Sequence, residues 1–164
     1  IEGLKDIEKD VDFFFIDTAA GITREVLGFL ISSNEIIVVT TGEPTAITDA
    51  YAIIKSIHHK KSQAIIRIII NMCKTGEEAE RIFGRLQSVS QRFLNRRLDF
   101  LGGIPYDDSV STSVRIQKPF IIQNPRSRAS ASIRMIAKKI LESHTSKNAG
   151  NIHDFFDNIK GFLK

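Results

Sequence analysis

The sequence predicts an α/β fold in which helices cover both faces of a mainly parallel sheet, giving three layers. Four short apolar runs support this prediction, at Val11–Ile16, Glu35–Thr40, Ala64–Ile70 and Leu98–Ile104. Each is bounded by turn-forming residues, as is typical of strands buried on both faces. Segments of ten to twenty residues with helical periodicity separate them, and such alternation favours parallel pairing.

The helical segments are defined by their apolar spacing and by capping signals. The first covers Ile22–Ile31, and the second runs from a cap at Thr45 to His59. The third opens with a capping box at Thr75 and continues to Arg97. The last begins with Asn124 as its cap and a proline in its first turn.

The composition indicates a globular domain. The chain has 164 residues, of which 42% are hydrophobic and 26% are charged, as is ordinary for one folded domain. No apolar run approaches the ~20 residues that span a bilayer, and the amino end does not resemble a signal peptide. The single cysteine, Cys73, fits a reducing cytoplasm and a small buried residue at a strand end.

The charge is distributed unevenly along the chain. Residues 1–60 contain 5 Lys/Arg against 10 Asp/Glu, whereas residues 61–164 contain 18 against 9. A basic half is compatible with nucleic-acid binding. However, the cations are scattered along helices without interleaved aromatic residues, so the sequence does not favour a nucleic-acid partner.

An acidic residue follows the first apolar run. Asp17 would lie at the carboxyl end of a strand, where open α/β sheets bind their ligands. A carboxylate there can hold the water shell of Mg²⁺, and the backbone of Gly21 can approach a phosphate. The alternative is that Asp17 caps the helix that begins near Ile22, and spacing alone leaves both interpretations open.

Two longer segments, IDTAAG at Ile16–Gly21 and VTTGEPTAITDAYAIIK at Val39–Lys55, resemble the MinD/ParA family of P-loop ATPases. The likeness is strongest to the branch that regulates flagellar number and placement (the FlhG/FleN/YlxH type). It continues through 69–71, 101–107, 114–120 and 125–127, and so covers roughly residues 4–142. Several motifs in the right order are far more specific than any one of them.

The resemblance implies ATP and Mg²⁺ as cofactors and assigns roles at the first motif. Asp17 matches the acidic residue that coordinates Mg²⁺ indirectly, through water, and helps to order the attacking water. Gly21 matches a glycine whose backbone meets the γ-phosphate. Phosphoryl transfer depends mostly on positioning and charge stabilisation, which gives these two positions their expected importance.

The resemblance also implies an adenine-binding edge. Asn71 matches the asparagine whose amide reads adenine, although a strand-ending turn residue is the alternative from the residues alone. Pro105, Tyr106 and Asp107 match the loop that borders the adenine and the ribose.

No segment of the 164 residues matches G-x-x-x-x-G-K-[ST] or the variant phosphate loop with an additional lysine. The resemblance therefore predicts an N-terminally truncated P-loop NTPase domain, with the first strand, phosphate loop and switch I upstream. Residues 1–142 would be the C-terminal portion of the ATPase domain. Such a chain is expected to be inactive in ATP hydrolysis when alone.

The C-terminal residues form two further segments. Residues 143–151 have the composition of a polar linker, and residues 152–164 follow the helical period with a strongly amphipathic pattern. Their polar face lacks the basic excess that draws helices to anionic lipid. Membrane contact, a partner's groove and docking on the chain itself are all open for the apolar face, which consists of Ile152, Phe155, Phe156, Ile159, Phe162 and Leu163.

The function implied by the resemblance is that of a spatial switch. The intact protein would bind Mg·ATP, form a homodimer and govern the number or placement of flagella. It would lie in the cytoplasm, with peripheral contact at the inner face of the membrane. Its partners would be a flagellar GTPase of the signal-recognition-particle type and the basal-body switch proteins.

Two alternatives stay open at this point. One is a division-site or chromosome/plasmid-partitioning ATPase of the same superfamily, against which the TTGEPTAITDAY block argues. The other is a non-catalytic interaction module left by loss of the phosphate loop.

Overall fold

A computed structural model describes residues 11–144 together with Phe155, Asn158, Ile159, Gly161 and Phe162. The elements in chain order are α1 (Arg24–Ser32), β1 (Glu35–Thr40), α2 (Pro44–His59), β2 (Ile65–Cys73), α3 (Gly76–Leu94), β3 (Asp99–Pro105), α4 (Asp108–Arg115), α5 (Phe120–Gln123) and α6 (Arg128–His144). The three strands form one parallel sheet in the order β1-β2-β3. The α/β class and the parallel pairing are as the sequence predicts.

The sheet has a separate core on each face, which confirms the three layers. One core joins β1 and β2 to α2 and α3, with Ile36, Ile54, Ile68 and Leu86 among its buried residues. The other core joins β2 and β3 to α6 through Ile69, Leu101 and Ile136. Successive residues of β2 point to opposite faces, so a strand covered on both sides must be apolar throughout.

The predicted strand at Val11–Ile16 is wrong, because this segment has no regular secondary structure. A strand is stable only where a neighbouring strand takes up its backbone hydrogen bonds. Within residues 11–144, β1 pairs only with β2, and no strand pairs with Val11–Ile16. Asp17 therefore follows an irregular segment and not the end of a strand.

Two helix starts differ from the prediction. The second helix begins at Pro44, and Thr45 lies inside its first turn, because a proline with fixed φ is well suited to the first helical position. Asn124 and Pro125 lie in a turn between α5 and α6 and do not open a helix. Ser127 caps α6 instead, since its Oγ accepts a hydrogen bond of 3.2 Å from the N–H of Ser130.

The long helix α3 begins as predicted and ends earlier. Thr75 Oγ1 accepts from the N–H of Glu78 at 3.1 Å, as in a capping box. Asn95 adopts the left-handed conformation, with φ of 48°, and ends the helix after Leu94. The short helices α4 and α5 were not expected from the sequence.

The described residues of the C-terminal segment are helical, and they pack on the chain itself. Phe155 and Ile159 are buried in a small cluster with Ile16 and Phe29. The guanidinium of Arg24 donates a hydrogen bond of 3.2 Å to the carbonyl of Phe162. Three residues of the predicted apolar face, Ile152, Phe156 and Leu163, lie outside the described residues, and so does most of the predicted linker.

Among the helices that the structure describes, none is long and apolar enough to cross a membrane.

Candidate functional site

The carboxyl ends of β2 and β3 lie side by side and form the candidate site. Cys73 is the register partner of Pro105, and the N–H of Tyr106 donates a hydrogen bond of 3.0 Å to the carbonyl of Cys73. This junction brings Asn71 on β2 to the same edge of the sheet as the Pro105–Asp107 loop. In open parallel sheets this edge is where ligands bind.

The side chain of Asn71 is oriented by the backbone of the next residue. Its Oδ1 accepts a hydrogen bond of 2.9 Å from the N–H of Met72. Met72 has φ of 55°, which is uncommon for a residue with a side chain and is part of a register irregularity before Cys73. The amide NH₂ of Asn71 has no hydrogen-bond partner within the described residues, so this strained turn leaves a donor available to a ligand.

Tyr106 presents an aromatic surface at the same edge of the sheet. Its side chain is exposed by 60%, and its hydroxyl donates a hydrogen bond of 3.0 Å to Oδ1 of Asp108. This hydrogen bond, together with the charge of Asp108, raises the pKa of the Tyr106 hydroxyl. A phenol that keeps its proton and is exposed at an open edge suits packing against a planar ring.

Asp107 holds two helices. One carboxylate oxygen accepts from the N–H of Ser109 at 3.0 Å, which caps α4, and the other accepts from the N–H of Ala129 at 3.2 Å, in the first turn of α6. Hydrogen bonding from Ser109, and then from Ala129, lowers the pKa of Asp107. Because both oxygens are occupied by backbone donors, Asp107 acts as a positioning residue for the loop.

Asp17 and Gly21 lie apart from this junction in the hydrogen-bond network. Both are exposed, in the irregular segment before α1, and Gly21 has φ of 101°, which favours glycine. Within the described residues, no hydrogen bond or ion pair joins Asp17 to the β2–β3 edge. The structure therefore brings together Asn71, Pro105, Tyr106 and Asp107, but it does not connect them to Asp17 or Gly21.

The described residues contain no group of three or more His, Cys, Asp or Glu side chains that could hold a metal ion. A resident all-protein metal site is therefore not found in that part of the chain. The exposed carboxylate of Asp17 fits a more limited role, since Mg²⁺ keeps several waters and takes most of its other ligands from phosphates.

Two residues of this edge were missed by sequence reasoning. Met72 supplies the strained backbone that orients Asn71, and Asp108 accepts the hydrogen bond that the hydroxyl of Tyr106 donates. Nothing local in the sequence marks Met72, because a bulge depends on the pairing of two strands. For Asp108, the sequence offered one indication, which is that two acidic residues follow Tyr106 directly.

The family model for ParA, described as NUBPL iron-transfer P-loop NTPase, matches residues 4–141. The match covers the three strands and all of the candidate site residues. It includes Asp17 and Gly21 as well as the β2–β3 edge.

The curated relatives include an antiactivator and proteins named for determining flagellum and septum sites. The chain is 37% identical to the antiactivator FleN of Pseudomonas aeruginosa over 140 residues, covering 85% of this chain and 50% of FleN. It is 34% identical to the flagellum site-determining protein YlxH of Helicobacter pylori over 155 residues, covering 94% of this chain and 51% of YlxH. It is 27% identical to the septum site-determining protein MinD of Bacillus subtilis, covering 84% and 50%. The chain thus spans about half the length of the curated relatives that it matches.

A solved structure shares the fold. The cell division ATPase MinD of Pyrococcus furiosus aligns with a TM-score of 0.67 and 20% sequence identity, covering 86% of this chain and 56% of that one. This likeness supports the three-layer α/β architecture.

Proposed function

The chain belongs to the ParA/MinD family of P-loop NTPases, and from this premise we propose that it supplies the adenine side of the nucleotide site in an ATP-dependent regulator of the flagellum. The observation that carries the proposal is that the oriented amide of Asn71 and the exposed ring of Tyr106 lie at the same edge of the sheet, where the N–H of Tyr106 is bonded to the carbonyl of Cys73. The name of YlxH, a flagellum site-determining protein, supplies the flagellar context.

The residues present fit a purine nucleotide. With Oδ1 of Asn71 engaged by Met72, the NH₂ is left to donate to a ring nitrogen of the base. Tyr106 would pack against the base, and Asp107 would keep the loop in place through α4 and α6. Hydrogen bonds in such a pocket give specificity because the unpaired donor is costly when the wrong base binds.

Asp17 and Gly21 would serve the phosphate side. Mg²⁺ would supply charge stabilisation for the phosphates, and Asp17 would hold one of its water ligands. The positive φ of Gly21 allows its N–H to lie close to a phosphate oxygen without a side chain in the way. Both roles are part of the proposal.

Dimerisation and membrane contact are finer parts of the same proposal. Phe155 and Ile159 are buried against the chain itself, so they could meet a membrane only after the helix leaves Ile16 and Phe29. Because Ile16 immediately precedes Asp17, a nucleotide that orders this segment would act directly on the surface that holds the helix. The flagellar GTPase and the basal-body switch proteins are the partners proposed for the released form.

The experiment is a titration with a fluorescent ATP analogue and Mg²⁺, on this chain and on a longer form of the protein that carries a phosphate-binding loop. We expect binding from the longer form, with Asn71→Ala lowering the affinity about tenfold and narrowing the preference for ATP over GTP. Asp17→Ala should lower ATP turnover. Asn34→Ala, at an exposed turn on the opposite edge of the sheet, is the matched control and should change neither quantity.

The same proteins are then sedimented with lipid vesicles, with and without Mg·ATP. Vesicle binding that requires Mg·ATP supports release of the helix, and equal binding in both conditions contradicts it. If the longer form binds no nucleotide, or if Asn71→Ala binds as tightly as the unaltered protein, the adenine-side proposal is overturned and the non-catalytic interaction module takes its place.

A further inference from the structure

A cavity lies at the opposite edge of the sheet from the candidate nucleotide site. It has a volume of about 760 Å³ and is lined by the loop between α2 and β2 and by the loop between α3 and β3. The cavity therefore lies at the amino ends of β2 and β3. None of the residues of the β2–β3 carboxyl edge lines it.

The lining of this cavity is strongly basic. Five of its side chains carry or can carry a positive charge, and one, Asp99, carries a negative charge. Among residues 11–144, the ion pairs found join Arg67 to Glu35 and Lys138 to Glu142, so neither of them neutralises the cavity. A concave surface with one sign of charge concentrates ions of the opposite sign. The five side chains are His58, His59, Lys61, Arg96 and Arg97.

A structural explanation for these cations is that they stabilise the negative ends of α2 and α3. The hydrogen bonds limit that explanation. Some carbonyls in the last turn of each helix already accept from backbone donors: Lys61 N–H donates to the carbonyl of His58 at 2.9 Å, and Asn95 N–H donates to the carbonyl of Gln91 at 3.1 Å. The side chains of Lys61 and Arg97 make no hydrogen bond within the described residues, so they are available to a ligand.

Arg96 is fixed at the centre of this surface. Its Nη1 donates to the carbonyl of Ser62 at 2.9 Å, and its Nη2 donates to the carbonyl of Ala64. Burial lowers the pKa of Arg96, although a guanidinium still keeps its charge at neutral pH. Within the part of the chain that the structure describes, its hydrogen-bond partners are neutral carbonyls. A partly buried cation without a counterion favours the approach of an anion.

The shape and lining of the cavity indicate the class of anion. No Phe, Tyr or Trp lines it, so it lacks the stacking surface with which proteins bind single-stranded nucleic acid. Its volume is in the range of sites for small organic ligands. The basic side chains come from two separate segments, the end of α2 with the loop that follows it and the loop after α3, which suits a ligand with charge at both ends.

We propose that this cavity is a binding site for a small anion that bears two or more phosphate groups, one held by His58, His59 and Lys61 and another by Arg96 and Arg97. Arginine and lysine are the side chains that proteins use for phosphate, the first through its planar fork and the second as a point charge. The site is separate from the candidate nucleotide site and does not depend on the proposed function.

The test is isothermal titration of the chain with inorganic tripolyphosphate as the probe. We expect saturable binding that weakens as the salt concentration rises. The double variant Lys61→Gln/Arg97→Gln removes two charges from the cavity and should weaken binding at least about tenfold. The control is Arg81→Gln/Lys138→Gln, which removes the same charges from exposed positions on α3 and α6. It should bind as the unaltered chain does.

Further arms identify the source of the phosphate and the place of binding. Vesicles that contain phosphatidic acid, compared with the soluble probe, distinguish a lipid headgroup from a free polyphosphate. Asn71 and Asp17 do not line the cavity, so a loss of tripolyphosphate binding in Asn71→Ala or Asp17→Ala would place the probe at the candidate nucleotide site and overturn the proposal. The proposal is overturned if binding does not saturate, if the control double variant loses as much affinity as the cavity variant, or if duplex DNA binds and tripolyphosphate does not.

Discussion

Two six-residue segments of this chain each contain five apolar residues and one charged residue, but only one of them forms a strand. Ile65–Ile70 forms the first part of β2, paired on both sides and covered by helices on both faces. Val11–Ile16 has no strand beside it, and its Phe15 is exposed by 68%. The number of apolar residues therefore does not decide which of the two segments becomes a strand.

The comparison shows that pairing decides both the strand and the site that follows it. β2 holds Asn71 at the same edge of the sheet as Tyr106, because the hydrogen bond from the N–H of Tyr106 to the carbonyl of Cys73 joins the end of β2 to the end of β3. Val11–Ile16 provides no such frame for Asp17. A site residue is positioned only as well as the element that precedes it.

The largest expected effect comes from removing side-chain volume in each segment. Ile68 has 0% exposure, so Ile68→Ala should lower the free energy of unfolding by about 3–4 kcal/mol through lost burial and the cavity left behind. Phe15→Ala should change it by less than about 0.5 kcal/mol, because the side chain is already in water. Urea denaturation of the two variants and the parent chain measures the difference.

A loss of more than about 2 kcal/mol of unfolding free energy in Phe15→Ala would contradict this prediction, because it would mean that Val11–Ile16 is buried in solution. The slope of the unfolding free energy against urea serves as the control. It should be the same in all three proteins if their unfolded states are alike.

A smaller effect tests how tightly the sheet is covered. A Cβ on Gly103 would lie 2.5 Å from Cβ of Ala79 and 3.1 Å from Sγ of Cys73. Gly103→Ala should therefore force α3 away from β3 and destabilise the chain by about 1–3 kcal/mol. In contrast, a Cβ on Gly84 of α3 meets nothing within 4 Å, so Gly84→Ala should stabilise the chain by about 0.5–1 kcal/mol.

Thermal unfolding of the two glycine variants measures these opposite signs. If Gly103→Ala also raises the melting temperature, the contact between α3 and β3 is looser than the structure describes. A fall in melting temperature for Gly84→Ala would mean instead that the outer face of α3 is covered in solution.

Much of the fold could be predicted because its signals are local. The three strands that form are apolar throughout, as strands covered on two faces must be, and α3 carries its own cap at Thr75. The failures depend on distant residues. Val11–Ile16 lacks a neighbouring strand within the described residues, and Asn124 ends α5 as its C-cap, where its Nδ2 donates a hydrogen bond of 3.2 Å to Oγ of Ser113.

The candidate site likewise contains residues that could be predicted from the sequence and one whose role could not. Asn71 and Tyr106 could be named from the family resemblance, which places each after a strand. The role of Asp107 could not, because its second partner, Ala129, is 22 residues away in sequence and belongs to a helix packed on the opposite side of the loop. Spacing along the chain contains no record of such a contact.

Asp107 and Asp17 also give the smallest expected effect, in the dependence of stability on pH. The lowered pKa of Asp107 means that its folded form binds a proton less readily than its unfolded form, whose pKa is about 3.9. Its contribution to stability is therefore complete above that value and is lost as the pH falls through the lower folded pKa.

The variant Asp107→Ala should accordingly be less stable than the parent at neutral pH, and the difference should shrink as the pH is lowered below about 4. Asp17→Ala is the matched control, because the exposed carboxylate of Asp17 makes no hydrogen bond within the described residues. Urea denaturation at a series of pH values provides both curves. A difference between Asp107→Ala and the parent that stays constant down to pH ~2 would contradict the two-helix cap, and would assign the loss to packing of the loop and not to the charge that holds α4 and α6 together.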